Sequence, residues 1–125
     1  MKKILLVEDE ESVRELAELF LQFVVPEVRV EAVETAEEAL ALLCRRNHGF
    51  GAVLTDNNLG PGMSGMQLAE NVAAMPSADR PTVFVMSGRL LEEDNAKKPP
   101  FIERIFPKPI QDWKKVGEVI GSFLE

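Results

Sequence analysis

A short apolar run over residues 52–55 leads directly to an acid, Asp56, and then into a loop rich in asparagine, glycine and proline. Four to six apolar residues are enough for a buried strand, and the turn-forming residues after them mark where that strand must end. Asp56 is therefore predicted to lie at the C-terminal end of a central strand. In open α/β sheets, ligands and reacting groups gather at this edge.

Similar apolar runs recur along the chain, separated by segments with helical spacing. Strands are predicted at residues 3–7, 28–33, 52–56, 82–86 and 101–106. Continuous apolar runs are typical of parallel strands that are buried on both faces. Charged residues alternate along residues 28–33, which predicts an edge strand with one wetter face.

Helical signals fill the intervals between these strands. Helices are predicted at residues 12–24, after the capping-box pair Thr35 and Glu38, at residues 66–75 and at residues 111–124. A weaker helical pattern begins at Leu90, and the helix it predicts must end before Pro99 and Pro100. Five strands alternating with five helices predict an α/β protein with a doubly wound, five-stranded parallel sheet.

The apolar spacing also predicts which side chains face the core. In the first helix the inward face is predicted to be Val13, Leu16, Phe20 and Val24, widened by Ala17, Leu19 and Phe23. Cys44 is predicted to be a small core residue of the second helix. His48 is predicted to be a solvated residue at the end of that helix.

Composition limits the class of protein. A chain of 125 residues with 46% hydrophobic content fits one domain over residues 1–125, with no linker and no output domain. A formal net charge of -7 with no basic patch argues against nucleic acids and anionic membranes as partners. No apolar run is long enough for a membrane span or a signal peptide. The single cysteine suits a reducing compartment, so a cytoplasmic protein is expected.

Polar side chains follow four of the five predicted strands. Glu8 and Asp9 end the first, Asp56 ends the third, Ser87 the fourth and Lys108 the fifth. Because the carboxyl ends of parallel strands meet at one edge of a sheet, these groups can converge although they lie far apart in sequence.

The charges of these groups indicate a chemistry. Three carboxylates in one pocket repel one another unless a cation joins them. Hard oxygen ligands on a partly open site suit Mg²⁺, whose shell is often completed by a phosphate oxygen. A carboxylate nucleophile beside Mg²⁺ and a lysine is equipped for phosphoryl transfer, and the product would be an acyl phosphate on an aspartate.

Five short segments, in this order, resemble the receiver domain of the response regulators of two-component signalling. They are LLVEDE at residues 5–10, TD at 55–56, MSG at 63–65, MSG at 86–88 and KP at 108–109. Each segment is common by chance, but the ordered set is specific and spans nearly the whole chain. The resemblance implies a flavodoxin-like sheet with strand order 2-1-3-4-5 and a role in a phosphorelay.

The resemblance also implies roles for individual residues at the acidic edge. Asp56 corresponds to the phosphoacceptor and to one of the ligands of the metal. Asp9 corresponds to a direct Mg²⁺ ligand, and Glu8 to one that acts through water. The backbone carbonyl of Asn58 would complete the metal site.

Around the phosphoryl group, the resemblance gives Ser87 the hydroxyl that moves in to bond it and Lys108 the ammonium that pairs with it. The phosphodonor would be a histidine of a sensor histidine kinase or of a histidine phosphotransfer protein. Phosphorylation would alter a surface formed by about residues 89–125, which a downstream protein target recognises. The chain would be a monomer or a weak dimer, with no enzymatic activity beyond its own phosphotransfer and dephosphorylation.

The chain departs from the family pattern in three places, one of which is Pro107 directly before Lys108. Gly65 lies nine residues after Asp56 instead of eight, and such longer loops resemble receivers attached to hybrid kinases. Ile105 occupies the position of the aromatic switch residue, and the adjacent Phe106 should point to the opposite face of the strand. The family often has a cis peptide bond before the proline at Pro109.

Two other functions are compatible with a receiver fold. The first is an interaction module that works without phosphorylation, which Ile105 at the switch position and the break at Pro99 and Pro100 favour. The second is a Mg²⁺-dependent phosphatase acting on external substrates. It is disfavoured because Asn58, two residues after Asp56, provides no general acid.

A dinucleotide-binding function is a further alternative. Gly60, Gly62 and Gly65 form a G-x-G-x-x-G pattern between a strand and a helix. Pro61, however, removes an amide donor from that loop. The next strand ends in Ser87 instead of the acid that would bind a ribose, so this alternative is disfavoured.

Overall fold

The computed structural model of the protein describes residues 2–88 and 98–124. Its five strands are β1 (Lys2–Val7), β2 (Val28–Val33), β3 (Ala52–Asp56), β4 (Thr82–Ser87) and β5 (Arg104–Pro107). They form one parallel sheet in the order β2-β1-β3-β4-β5. The predicted topology and strand order are therefore confirmed, including the position of β2 at an edge.

The helices of the described residues lie on both faces of this sheet. They are α1 (Glu11–Val24), α2 (Ala36–Leu43), α3 (Gly65–Ala73) and α4 (Trp113–Gly121), with a 3-10 helix at Ser77–Asp79. The described part of the chain therefore holds four α-helices, and the fifth helix, predicted from Leu90, falls outside it. Among the described helices, none has the length and apolarity needed to cross a membrane.

Side chains that alternate along the strands form two apolar clusters, one on each face of the sheet. Leu5 and Val53 belong to the cluster that α2 and α3 cover. Leu6 and Leu54 belong to the cluster that α1 and α4 cover. Every residue of β3 is buried, so Asp56 ends a strand that is enclosed on both sides.

The last strand is shorter than predicted. It begins at Arg104, whereas the apolar pattern placed its start at Phe101. The backbone N–H of Ile102 donates to the carbonyl of Pro99 at 3.1 Å, so this part of the chain is a turn. The chain joins β4 only from Glu103, whose N–H donates to Val83 O at 2.8 Å.

Helix α1 packs with only part of its predicted face. Leu16 and Phe20 were predicted to face the core, yet they are 48% and 38% exposed. Leu19 and Phe23 were predicted to widen the same face, yet they are 63% and 86% exposed. Ala17, which was predicted to widen that face, is fully buried, and so is Leu21, which was not predicted to belong to it. A small side chain such as Ala17 lets the helix lie close to the sheet, whereas a phenylalanine at that contact would hold it away.

Two side chains near the end of α2 also differ from their predictions. Cys44 was predicted to be a core residue, but α2 ends at Leu43 and the cysteine is exposed. His48 was predicted to be solvated, but it is half-buried. Its Nδ1 accepts a hydrogen bond from the Phe50 N–H at 2.9 Å, and its Nε2 lies 2.7 Å from the carbonyl of Asp79.

The contact between α1 and α4 predicts opposite effects at two glycines of α4. A Cβ at Gly117 would lie 2.5 Å from Val24 Cγ1, whereas one at Gly121 would lie at an ordinary 3.6 Å from Val25. Gly117→Ala is therefore expected to lower the free energy of unfolding by about 2 kcal/mol. Gly121→Ala is expected to raise it by about 0.5 kcal/mol, because alanine favours the helical conformation. Urea denaturation measures both, and equal effects would contradict this packing.

Candidate functional site

The carboxyl ends of the strands meet at one edge of the sheet, as predicted. In the register of the parallel pairs, Asp56 lies opposite Met86, and Ser87 lies opposite Pro107. Glu8 follows β1 directly, and its N–H donates to Val33 O at 3.1 Å. The register therefore places the ends of β1, β3, β4 and β5 side by side.

Lys108 joins two of the predicted acids. Its Nζ donates to Glu8 Oε1 at 2.7 Å and to Asp56 Oδ2 at 3.1 Å. Glu8 is fully buried and Asp56 is 6% exposed. The peptide bond between Lys108 and Pro109 is cis, and the Lys108 N–H donates to Ser87 O at 2.8 Å. These contacts bring β1, β3, β4 and the loop after β5 to one point.

The electrostatics of this group follow from its burial. Burial raises the pKa of Glu8 above its ordinary value, although hydrogen bonds from Lys108 and from the Glu10 N–H oppose the shift. The charge of Asp56 raises the pKa of Glu8 further. Burial alone would lower the pKa of Lys108, but its hydrogen bonds to Glu8 and Asp56 outweigh this and raise it. Lys108 therefore stays charged and compensates part of the buried negative charge.

A cation can be held by the predicted acids. One carboxylate oxygen from each of Glu8, Asp9 and Asp56 lies within 4.8 Å of the others. Asp9 is exposed, whereas its two partners are buried, so the group opens to solvent on one side. Three hard oxygen donors with an open side fit Mg²⁺, which retains water ligands, better than they fit a softer metal.

Asn58 lies against the Asp56 carboxylate through its backbone. Its N–H donates to Asp56 Oδ1 at 3.3 Å, while its side chain is exposed. The two oxygens of Asp56 are thus oriented differently, Oδ1 toward the following loop and Oδ2 toward Lys108.

A cleft of about 540 Å³ opens above Asp56. It is lined by Asp56, Asn57, Asn58, Ser64, Ser87 and Gly88. Ser87 was predicted to lie at the site, whereas Ser64 was not. Ser64 is the N-cap of α3 and forms a capping box with Gln67, which is the sequence signal that could have placed it at the start of that helix.

Asn57 is a second residue that the sequence reasoning missed. Its carbonyl accepts from the Gly65 N–H at 3.1 Å, and its Oδ1 accepts from the Met66 N–H at 3.1 Å. Asn57 therefore attaches the start of α3 to the residue that follows Asp56. An asparagine directly after a strand is a signal for such side chain–backbone bonds.

Arg14 is a third such residue. Its Nη1 donates to the carbonyl of Glu8 at 3.0 Å, and its Nη2 lies 3.8 Å from Glu34 Oε1. Its side chain is 16% exposed. Arg14 thus fixes the backbone of the acidic pair from the first turns of α1.

Ile105 occupies the switch position of β5, and its neighbour is Phe106. The two side chains lie on opposite faces of the sheet, as predicted. Ile105 belongs to the core cluster beneath α2 and α3. Phe106 belongs to the cluster beneath α1 and α4, where its ring stacks with that of Phe84.

An exposed apolar row on α1 extends away from the site. We call Leu16, Leu19, Phe20 and Phe23 the α1 stripe. Leu19 is 63% exposed and Phe23 is 86% exposed. The ring of Phe20 stacks on Trp113 of α4 with centroids 6.2 Å apart, so the stripe is continuous with that helix. Exposed apolar patches of this kind mark interaction surfaces.

The strand order and the acidic edge define a flavodoxin-like α/β domain of the chemotaxis-regulator type. The sequence model of the response regulator receiver domain matches residues 4–100, and the chain belongs to that family. It is thus a receiver domain of the kind found in two-component systems. Comparison with curated protein sequences gives no match.

Solved structures have the same fold over nearly the whole chain. A CheY-like receiver domain from Methylobacillus flagellatus is 25% identical, with a TM-score of 0.78 and 98% of each chain covered. Response regulator TrrA from Thermotoga maritima, solved in complex with Mg²⁺ and BeF, is 22% identical, with a TM-score of 0.79 and coverage of 99% and 100%. Chemotaxis regulator CheY4 of Vibrio cholerae is 21% identical, with a TM-score of 0.79 and coverage of 96% and 98%.

Proposed function

We propose that this protein accepts a phosphoryl group on Asp56, in a Mg²⁺-dependent step, from a histidine of a sensor histidine kinase or histidine phosphotransfer protein. The proposal rests above all on the position of the Asp56 carboxylate. It is almost fully buried, it faces an open cleft, and it lies between a lysine and two further acids. Carboxylates in such surroundings are suited to phosphoryl transfer.

The chemistry assigns one step to each side chain. An oxygen of Asp56 attacks the phosphorus of the donor, a new O–P bond forms, and the bond from phosphorus to the donor nitrogen breaks with its electron pair on that nitrogen. Lys108 pairs with the transferred group, and the Ser87 hydroxyl donates a hydrogen bond to it. Bound at Glu8, Asp9, Asp56 and the Asn58 carbonyl, Mg²⁺ would supply charge neutralisation for the phosphoryl oxygens.

The same contacts can couple phosphorylation to a surface. Without a phosphoryl group, the Lys108 ammonium contacts both Glu8 and Asp56, and its backbone N–H donates a hydrogen bond to the carbonyl of Ser87. A phosphoryl group would compete for the ammonium and the hydroxyl, and this differential contact would shift the population toward a second conformation. The responding surface includes β5 and α4, and its first part, residues 89–97, lies outside the described residues. The protein is proposed to act as a switch and not as an enzyme with external substrates.

Intact mass after incubation with Mg²⁺ and acetyl phosphate tests this function. One phosphoryl group per chain is expected, and none after chelation of the metal. If no adduct is found, binding of beryllofluoride distinguishes a short-lived acyl phosphate from an inert site. Failure of both would favour an interaction module that works without phosphorylation.

The α1 stripe predicts where a protein phosphodonor docks. Helix α1 begins two residues after Asp9, so the stripe extends from the edge that holds Asp56. Leu19→Asp places a charge at a largely exposed position, where it is tolerated by the fold but disrupts an apolar contact. We expect phosphotransfer from a protein donor to fall about tenfold, with phosphorylation by acetyl phosphate unchanged.

Phosphotransfer profiling against purified sensor kinases of the source organism measures this effect. The matched control is Ala41→Asp on α2, which adds the same charge at another exposed position. An equal loss with acetyl phosphate and with the protein donor would mean that Leu19→Asp damages the site itself and not the docking.

A further inference from the structure

A carboxylate on α2 holds the loop that crosses the site. Glu37 is the second residue of α2, and its Oε2 accepts a hydrogen bond from the Met63 N–H at 2.8 Å. Met63 belongs to the β3–α3 loop, residues 57–64, which leads from Asp56 to the start of α3. The hydrogen bond from Met63 lowers the pKa of Glu37, as expected for a carboxylate that accepts a backbone N–H.

Two glycines of the β3–α3 loop allow the backbone to come close enough to Glu37 for this hydrogen bond. Gly62 has a φ of +99°, and a Cβ there would lie 2.8 Å from Glu37 Oε2. Gly60 has a φ of +76°, and a Cβ there would lie 3.9 Å from Asp9 Oδ2. The backbone thus passes close to Asp9 of the acidic group and then to Glu37, in conformations that favour glycine.

The rest of the loop is attached at its two ends. At the first end, the Asn58 N–H donates to Asp56 Oδ1, and Leu59 is buried in the core. At the second end, Ser64 caps α3. Glu37 ties the intervening glycine-rich stretch to α2, where a carboxylate is also favoured by the helix dipole.

We propose that Glu37 is a positioning residue that holds the β3–α3 loop, and with it the Asn58 backbone, in place for the cation site formed by Glu8, Asp9 and Asp56. Glu37 raises the affinity of this site for Mg²⁺ although it does not contact the ion. Residues that orient ligands from outside a site commonly have such effects. This inference rests on the proposed function, because that function requires Mg²⁺ at the same acids.

Calorimetric titration with MgCl₂ alone tests the proposal. Glu37→Ala is expected to weaken Mg²⁺ binding roughly tenfold. Glu37→Gln keeps a carbonyl acceptor for the Met63 N–H and is expected to lie between Glu37→Ala and the wild type. The matched control is Glu70→Ala, which removes an exposed acid from α3 and is expected to bind Mg²⁺ as the wild type does.

Hydrogen exchange at the Met63 N–H provides a second measurement. It is expected to accelerate in Glu37→Ala and to be unchanged in Glu70→Ala. Faster exchange with unchanged Mg²⁺ affinity would overturn the proposal while leaving the proposed function intact. Absence of Mg²⁺ binding by the wild type would overturn both, so the two failures are distinguishable.

The pH dependence of stability provides a third measurement. The lowered pKa of Glu37 means that its ionised form is favoured in the folded state. Its contribution to stability is thus fully present at pH values above its ordinary pKa of 4.5. That contribution is lost as the pH falls through the lowered pKa of the folded state. The difference in melting temperature between the wild type and Glu37→Gln should therefore become smaller as the pH is lowered from above 4.5 through the lowered pKa of Glu37. A difference that stays constant there would contradict the contact.

Discussion

Asp56→Asn is expected to abolish phosphorylation by acetyl phosphate and to leave the fold intact. Asparagine has nearly the same shape, and its carbonyl oxygen can still accept a hydrogen bond from the Asn58 N–H or from Lys108. Its amide lacks the anionic oxygen that attacks phosphorus. Removal of the Asp56 charge relieves its repulsion of the buried Glu8 but also weakens the ion pair with Lys108, so the variant should be about as stable as the wild type without metal.

Intact mass spectrometry with Mg²⁺ measures this effect, and thermal unfolding verifies the fold. Asp79→Asn is the matched control, because Asp79 is an exposed acid of the 3-10 helix that precedes β4, at the opposite edge of the sheet. Asp79→Asn should be phosphorylated as the wild type is. Retention of one phosphoryl group by Asp56→Asn would place the acceptor elsewhere, with Asp9 the first position to map by peptide analysis.

The sheet could be predicted because its strands are buried on both faces. A strand such as β3 has to be apolar throughout, and turn residues have to follow it, so its position and its end are both visible in the sequence. The register of a parallel sheet then brings Glu8, Asp56 and Lys108 together without any further information. The site was predictable to the extent that its members lie at strand ends.

The packing of α1 could be predicted only in part, because the helix carries two apolar rows. One contains Ala17 and Leu21, which are buried, and the other contains Leu16 and Phe20, which are exposed. Both recur at helical spacing, and the second has the larger side chains. Only the distance between the helix and the sheet selects the first row, and that distance is set by tertiary contacts.

The residues that sequence reasoning missed act across elements and through the backbone. Arg14 donates to the carbonyl of Glu8, Asn57 accepts from the Met66 N–H, and Glu37 accepts from the Met63 N–H. Backbone groups are present at every position, so no residue type in the sequence marks the partner of such a contact. These residues surround the acids and the lysine that the strand ends predicted.

Gly65→Ala is expected to be among the most damaging single substitutions in the chain. A Cβ at this position would lie 2.3 Å from the carbonyl oxygen of Asp56 and 3.0 Å from Asn57 Cα. These are backbone atoms of the strand end and of the following residue, so no side chain can rotate to make room. The start of α3 would have to move away and would strain the bond from the Gly65 N–H to Asn57 O. We expect a loss of about 3 kcal/mol of stability.

For a chain of this size, that loss corresponds to a melting temperature lowered by roughly 10 °C. Because the displaced atoms belong to Asp56 and its neighbour, phosphorylation by acetyl phosphate should slow as well, even below the melting range. Gly88→Ala is the matched control, since Gly88 lines the same cleft but a Cβ there meets no atom of the described residues within 4 Å. If Gly65→Ala were as stable and as readily phosphorylated as Gly88→Ala, the start of α3 could not lie as close to Asp56 as the structure places it. If only stability fell, the close contact of Gly65 with the end of β3 would serve the fold and not the position of the Asp56 carboxylate.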